Sequence, residues 1–147
     1  TTYEIADEVG LSRSVVTKRL KRHDIEIRSS VMHPDHLPHR VIGELELDIV
    51  NLLNDAGVDY TYESREIEYG EGRRYTPDFV TEDYVIECKG ADWGKKYDKG
   101  YTAEQKAEAI MKQLDEREYV VVGIQLPCDI HIPREEHGTI QELFVCR

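Results

Sequence analysis

Asp78 follows a proline in Tyr75-Thr76-Pro77-Asp78-Phe79-Val80, and Glu87 and Lys89 come soon after in Tyr84-Val85-Ile86-Glu87-Cys88-Lys89-Gly90. The two runs read as β-strands joined by a short acidic turn. Side chains alternate between the faces of a strand, so Glu87 and Lys89 share one face while Ile86 and Cys88 take the other. Two carboxylates and an ammonium then project together from the edge of a hairpin. Hard divalent cations take oxygen ligands, and Mg²⁺ usually accepts one or two carboxylates and fills its other positions with phosphate and water. A lysine beside such an ion can hold or activate the attacking water. This equipment suits metal-assisted hydrolysis of a phosphodiester. Polar residues at alternate strand positions are ordinarily just a solvated face. The Pro-Asp ahead of the pair and the apolar alternate positions set this combination apart.

The elements that must position these residues are readable on either side. Leu47-Asp48-Ile49-Val50-Asn51-Leu52-Leu53 has helical apolar spacing and a stop at Gly57, which predicts a helix over 43–56. Strands are expected over 59–68 and 74–80, with a turn around Gly70-Glu71-Gly72, and then over 84–89. A loop over 90–100 leads to a helix over 102–117, with Ala103, Ala107, Ile110, Met111 and Leu114 as its core stripe. Tyr119-Val120-Val121-Val122-Gly123-Ile124 is apolar throughout, as in a strand buried on both faces, expected over 119–125. The tail from Pro127 carries no clear pattern.

A second functional pattern lies at the amino-terminal end. Thr2 can cap a short helix through Val9, with Ile5, Ala6 and Val9 on one face, and Gly10 ends it. Ser12 can cap a second helix from Arg13 to His23, with Val16 and Leu20 facing inward. The Ala6…Gly10 spacing suits a tight helix-turn-helix, where the small residue allows close approach and glycine takes positive φ. Arg13, Ser14, Thr17, Lys18 and Lys21 then lie outward, where such helices meet base edges in the major groove. A plain helical hairpin with a solvated basic face is the alternative. A complete trihelical module needs one more helix in front, and a first residue Thr1 predicts further chain upstream. The expected division is a helix-turn-helix over 1–28, a linker over 29–42 and a catalytic domain over 43–147. His33, His36 and His39 fall in the linker at three-residue intervals; a zinc site would need a fourth ligand, so a plain linker is the simpler reading.

The net charge of −11 weighs against phosphate binding taken over the whole chain. The charge is uneven, however. Arg13, Lys18, Arg19, Lys21, Arg22 and Arg28 cluster early, and Lys89, Lys95, Lys96 and Lys99 cluster around Trp93 and Tyr97. Clustered carboxylates can also be offset by a bound cation. The cysteines Cys88, Cys128 and Cys146 are odd in number and lack metal-type spacing, which favours reduced thiols. Cys88, on the apolar face of its strand, reads as a small core residue. No run is long and apolar enough for a membrane span, so a soluble cytoplasmic protein with no membrane partner is expected.

With Asp78, Glu87 and Lys89 in this arrangement, the chain resembles the PD-(D/E)xK nuclease superfamily over roughly residues 43 to 125. Within it, the chain is similar to phage-type endonuclease I, a Holliday-junction resolvase, and to homing-type endonucleases of phages and mobile elements. The resemblance implies an α/β fold with a restriction-endonuclease-like mixed sheet flanked by helices, here preceded by a small all-α segment. It implies Mg²⁺, with Mn²⁺ able to substitute, held by Asp78, Glu87 and the main-chain carbonyl of Cys88, and one or two ions in all. It implies that Glu46, rather than Glu44, supplies a further metal ligand from the helix, and that Lys89 positions the water. DNA is the implied partner, with Lys95 and Lys96 joining the recognition-helix residues in contact, and a homodimer in a phage or prokaryotic cell is expected. Base readout by a recognition helix suits a site-specific endonuclease. A four-way-junction resolvase and a non-catalytic DNA-binding regulator are the alternatives.

Overall fold

The computed structural model describes residues 2–26, 31–90 and 101–145. The chain divides into two compact units, Thr1–Met32 and His33–Arg147. In the first, α1 (Thr2–Glu8) and α2 (Arg13–Arg22) pack together with Ala6 and Val16 buried, and the two-residue strand β1 (Val31–Met32) is its last stretch of chain. Gly10 has φ +63; its N–H donates to the Asp7 carbonyl and that of Leu11 to the Ala6 carbonyl. These are the paired reverse bonds of a Schellman helix end. Three details differ from expectation. Thr2 lies within α1, not ahead of it. Ser12 occupies the N-cap position, but its hydroxyl meets that of Ser14 at 3.0 Å and caps nothing. Ile5 and Val9 are 40% and 52% exposed, because one short neighbouring helix covers only the stripe around Ala6.

The second unit contains β2 (Val41–Ile42), α3 (Glu44–Asp55), β3 (Thr61–Tyr62), β4 (Ile67–Gly70), β5 (Arg73–Tyr75), β6 (Phe79–Val80) and β7 (Tyr84–Lys89). It continues with α4 (Ala103–Met111), β8 (Glu118–Gly123), β9 (Ile130–Pro133) and a 3₁₀ segment, Arg134–Phe144. A five-stranded sheet runs in the order β3-β6-β7-β8-β9. Its β3, β6 and β7 pair antiparallel, whereas β7, β8 and β9 pair parallel. The unit is therefore mixed α/β. Among the described residues no helix is long and apolar enough to cross a membrane.

Each of the two long strands expected before the signature is broken. The segment 59–68 gives β3 and the start of β4, since Glu63 adopts φ +44 and leaves the extended region. The segment 74–80 gives the end of β5 and then β6, because Pro77 offers no N–H to a ladder. Freed from the main sheet, β4 and β5 pair as a separate hairpin across the Gly70-Glu71-Gly72 turn. The helix expected over 102–117 begins with a capping box between Thr102 and Gln105 but stops at Met111, and Asp115 at φ +55 carries the chain out of it. Its contact face is correspondingly narrow: Ala107 and Ile110 are buried, Met111 is half-buried and Ala103 is exposed. Ala107, Ile110, Met111 and Leu114 pack with Val85, Tyr119 and Val121 of the sheet and Ile67, Tyr69 and Tyr75 of the hairpin.

The segment 33–42, expected to be linker, belongs to the second unit. His36 Nε2 meets Asn51 Oδ1 at 2.8 Å, and the His39 ring stacks on Tyr62 with centroids 4.3 Å apart. The tail also has structure: β9 adds a third parallel strand, and the 3₁₀ segment packs on α3.

The parallel trio depends on one close approach. Lys89 sits opposite Gly123 in the β7–β8 register. Gly123 has φ +117, and a Cβ there would lie 2.0 Å from the Lys89 carbonyl oxygen, which accepts the Ile124 N–H at 2.9 Å. Both the backbone angle and the space require glycine. Gly123→Ala should therefore destabilise the protein by about 3 kcal/mol or more. Urea unfolding checks this, and a loss below about 1 kcal/mol would show that the β8 end can shift freely.

Candidate active site

The end of the β6–β7 hairpin gathers the signature residues. Phe79 pairs with Ile86, so Asp78 lies across from Glu87 just beyond the last ladder pair. The Cys88 N–H donates to Asp78 Oδ2 at 2.7 Å, and the Glu63 N–H donates to the Asp78 carbonyl at 3.1 Å. Asp78 is thus held by side chain and main chain at once. Glu87 is 3% exposed, and its carboxylate is gripped between the Lys89 ammonium and the Tyr75 hydroxyl.

The third carboxylate comes from the first turn of α3. Glu46 is buried, whereas Glu44 and Asp48 are exposed. Glu46 Oε2 accepts hydrogen bonds from the Ile42 N–H and the Tyr62 hydroxyl, both at 2.8 Å. Tyr62 is in turn braced by His39, whose Nε2 meets the Tyr60 hydroxyl at 3.0 Å.

The electrostatics of these groups are coupled. Burial pushes the Asp78 carboxyl well above its ordinary range, the charges of Glu87 and Glu46 add to that, and the Cys88 N–H and Lys89 oppose it. Burial also raises Glu46; the Ile42 and Tyr62 hydrogen bonds oppose the rise and the charges of Glu63 and Glu87 reinforce it. Burial works against the charge of Lys89, but Glu87 and Asp78 outweigh it and hold the ammonium above its ordinary value. The Cys88 thiol is pushed well up by burial and then by the carboxylates, so it stays protonated and unreactive. It is half-buried, not fully in the core.

Among the described residues, no three His, Cys, Asp or Glu side chains are drawn together as a ready cage for a metal ion. The donor set nevertheless fits a hard divalent cation. It offers carboxylate oxygens, and these repel one another with Lys89 as the cation between Glu87 and Asp78. A cation would relieve that repulsion, and Mg²⁺ needs only one or two carboxylates from the protein.

Several residues around the site were not singled out by sequence. Tyr62 and Tyr75 orient carboxylates 16 and 12 positions away, separations that no local pattern marks. On α2 of the first unit, Arg13, Ser14, Lys18 and Lys21 are exposed and Thr17 is half-buried. Lys95 and Lys96 lie outside the described residues. No family model, curated protein or solved structure matches the chain.

The raised Asp78 pKa has a consequence for stability. The folded protein binds the Asp78 proton more tightly than the unfolded chain does, so folding is favoured where that proton is bound. This contribution is lost as pH climbs above the ordinary value of 3.8 toward the folded pKa. Without added metal, Asp78→Asn should therefore be more stable than the parent at neutral pH and lose less stability as pH rises. Urea unfolding over a pH series checks this; identical pH dependence in the two proteins would contradict the assigned burial and repulsion.

Proposed function

We propose that this chain is a Mg²⁺-dependent DNA endonuclease, with the sheet of its second unit serving as a restriction-endonuclease-like scaffold. The observation that carries this reading is the meeting of Asp78, Glu87 and Lys89 at one hairpin end, with Glu46 electrostatically coupled to them from α3. Asp78 and Glu87 would hold the ion, with the Cys88 carbonyl as a further ligand, and Glu46 would hold or orient a second. When bound, Mg²⁺ or Mn²⁺ supplies Lewis-acid polarisation of the phosphate and a more acidic water. Lys89 keeps its proton beside Glu87, orients the attacking water and offsets charge developing on the phosphate. Tyr75 and Tyr62 fix the Glu87 and Glu46 carboxylates, so little reorganisation is left to the reaction itself.

The first unit supports a sequence-directed enzyme more than a junction resolvase. Arg13, Ser14, Lys18 and Lys21 present cationic and hydrogen-bonding groups along one exposed helix, which suits readout of a duplex.

Plasmid and oligonucleotide cleavage in Mg²⁺ tests the catalytic assignment. Asp78→Ala and Lys89→Ala should each slow cutting by at least about a hundredfold while leaving DNA binding largely intact. Glu46→Ala should be severely impaired and Glu44→Ala close to the parent. Normal cutting by Asp78→Ala would remove the assignment, and cutting confined to four-way junctions would favour a resolvase. Deleting residues 1–30 should weaken duplex binding, lower its salt dependence and reduce discrimination between sites more than it slows the chemical step. Unchanged affinity and site preference would leave α1 and α2 without a role in DNA recognition.

A further inference from the structure

Beside the signature residues lies a cleft of about 350 Å³, lined by Leu45 and Asp48 of α3 and by Arg134, Glu135 and His137 of the 3₁₀ segment. Its position follows from strand register. In the parallel trio, Lys89 stands opposite Gly123 and Gly123 opposite Pro133, so the carboxyl ends of β7, β8 and β9 share one edge. Ligands of open α/β sheets gather at that edge. Arg134 is the next residue after Pro133. The middle position, Gly123, has no side chain, and Arg134 Nη1 reaches across to donate to the carbonyl of Gly90, the neighbour of Lys89, at 3.3 Å.

The Arg134 guanidinium is exposed and makes no ion pair among the described residues. A guanidinium carries five N–H donors, so one bond to Gly90 leaves most of them open. Asp48, the acidic residue on the facing wall, lies 3.7 Å from His137 Nε2, while His137 Nδ1 meets the Arg134 carbonyl at 2.7 Å. That contact ties the start of the 3₁₀ segment to α3; Arg134 is the guanidinium of the cleft, and the exposed Glu135 beside it and Asp48 opposite are its carboxylates. Leu45 supplies an apolar wall next to Glu46. The Arg134 fork can pair with a phosphate through two parallel N–H bonds while Leu45 flanks the sugar, with the cleft's carboxylates at Asp48 and Glu135 leaving Arg134 as the point of contact.

We infer that this cleft receives a DNA backbone phosphate next to the one held at Lys89, and that Arg134 is the residue that binds it. The inference rests on the nuclease reading for the identity of the strand, and it adds a substrate-positioning residue outside the signature.

The test uses the full chain carrying Asp78→Asn to prevent cutting, a short labelled DNA duplex and a salt titration. Adding Arg134→Gln should weaken binding about tenfold, the worth of one charge-assisted hydrogen bond. It should also lower the slope of log affinity against log salt by about one. Arg134→Lys keeps the charge but loses the fork, so it should retain the slope with an intermediate affinity. With Asp78 intact, Arg134→Gln should raise the DNA concentration for half-maximal cutting and leave the maximal rate within about twofold. Affinity and slope unchanged in both Arg134 variants would overturn the inference, as would a loss in Arg134→Gln that Arg134→Lys shares without retaining the slope. A parent chain that cuts no DNA in Mg²⁺ or Mn²⁺, yet binds duplex with this dependence on Arg134, would overturn the nuclease reading and leave the phosphate cleft standing.

Discussion

The Cys88 N–H donates to the Asp78 carboxylate at the point where a continuing β6 would have offered it a carbonyl. Pro77 prevents that continuation from below, since it has no N–H for a ladder. The side chain of Asp78 therefore stands in for main chain, and the hairpin opens without leaving a buried donor unpaired. Most of the site follows from this substitution. The opened ladder makes room beside Glu87, the antiparallel register keeps Asp78 opposite it, and β7 is free to continue alone along β8 as far as Lys89.

The second constraint is charge. Placing Asp78, Glu87 and Glu46 near one another under partial burial is unfavourable unless each is tied down. The structure ties each by a different route: Asp78 by a backbone N–H, Glu87 by Lys89 and Tyr75, and Glu46 by the Ile42 N–H and Tyr62. These partners come from four separate strands, β2, β3, β5 and β7, so the site is held by tertiary structure and not by the hairpin alone. The mutual repulsion that remains is what a divalent cation would neutralise.

What was legible in sequence follows the range of the interactions involved. The alternation of Glu87 and Lys89 with Ile86 and Cys88, the stops at Gly10 and Gly57 and the apolar β8 are local patterns, and the structure keeps them. The choice of Glu46 over Glu44 came from the resemblance and not from a local pattern; Glu46 is buried and Glu44 exposed. Other features were set at longer range. The breaks at Glu63 and Pro77 turn two long strands into pieces of two different sheets. The four residues of β9 become a strand only by pairing with β8, and His39 has a role only because Tyr62 folds onto it. Tyrosine hydroxyls aimed at carboxylates leave no periodic signal, so Tyr62 and Tyr75 were invisible until the chain was folded.

The borders of the five-stranded sheet carry one more consequence. At one border β3 is only two residues long; at the other β9 has four, ends in Pro133 and runs straight into the packed 3₁₀ segment. Short rims and a proline at the rim are devices that deny a foreign strand a template for main-chain pairing. A five-stranded sheet with the apolar run of β8 among its inner strands would otherwise invite edge-to-edge association. Any macromolecule this unit engages must therefore be met by side chains and loop surfaces, because the sheet has almost no free backbone left to extend.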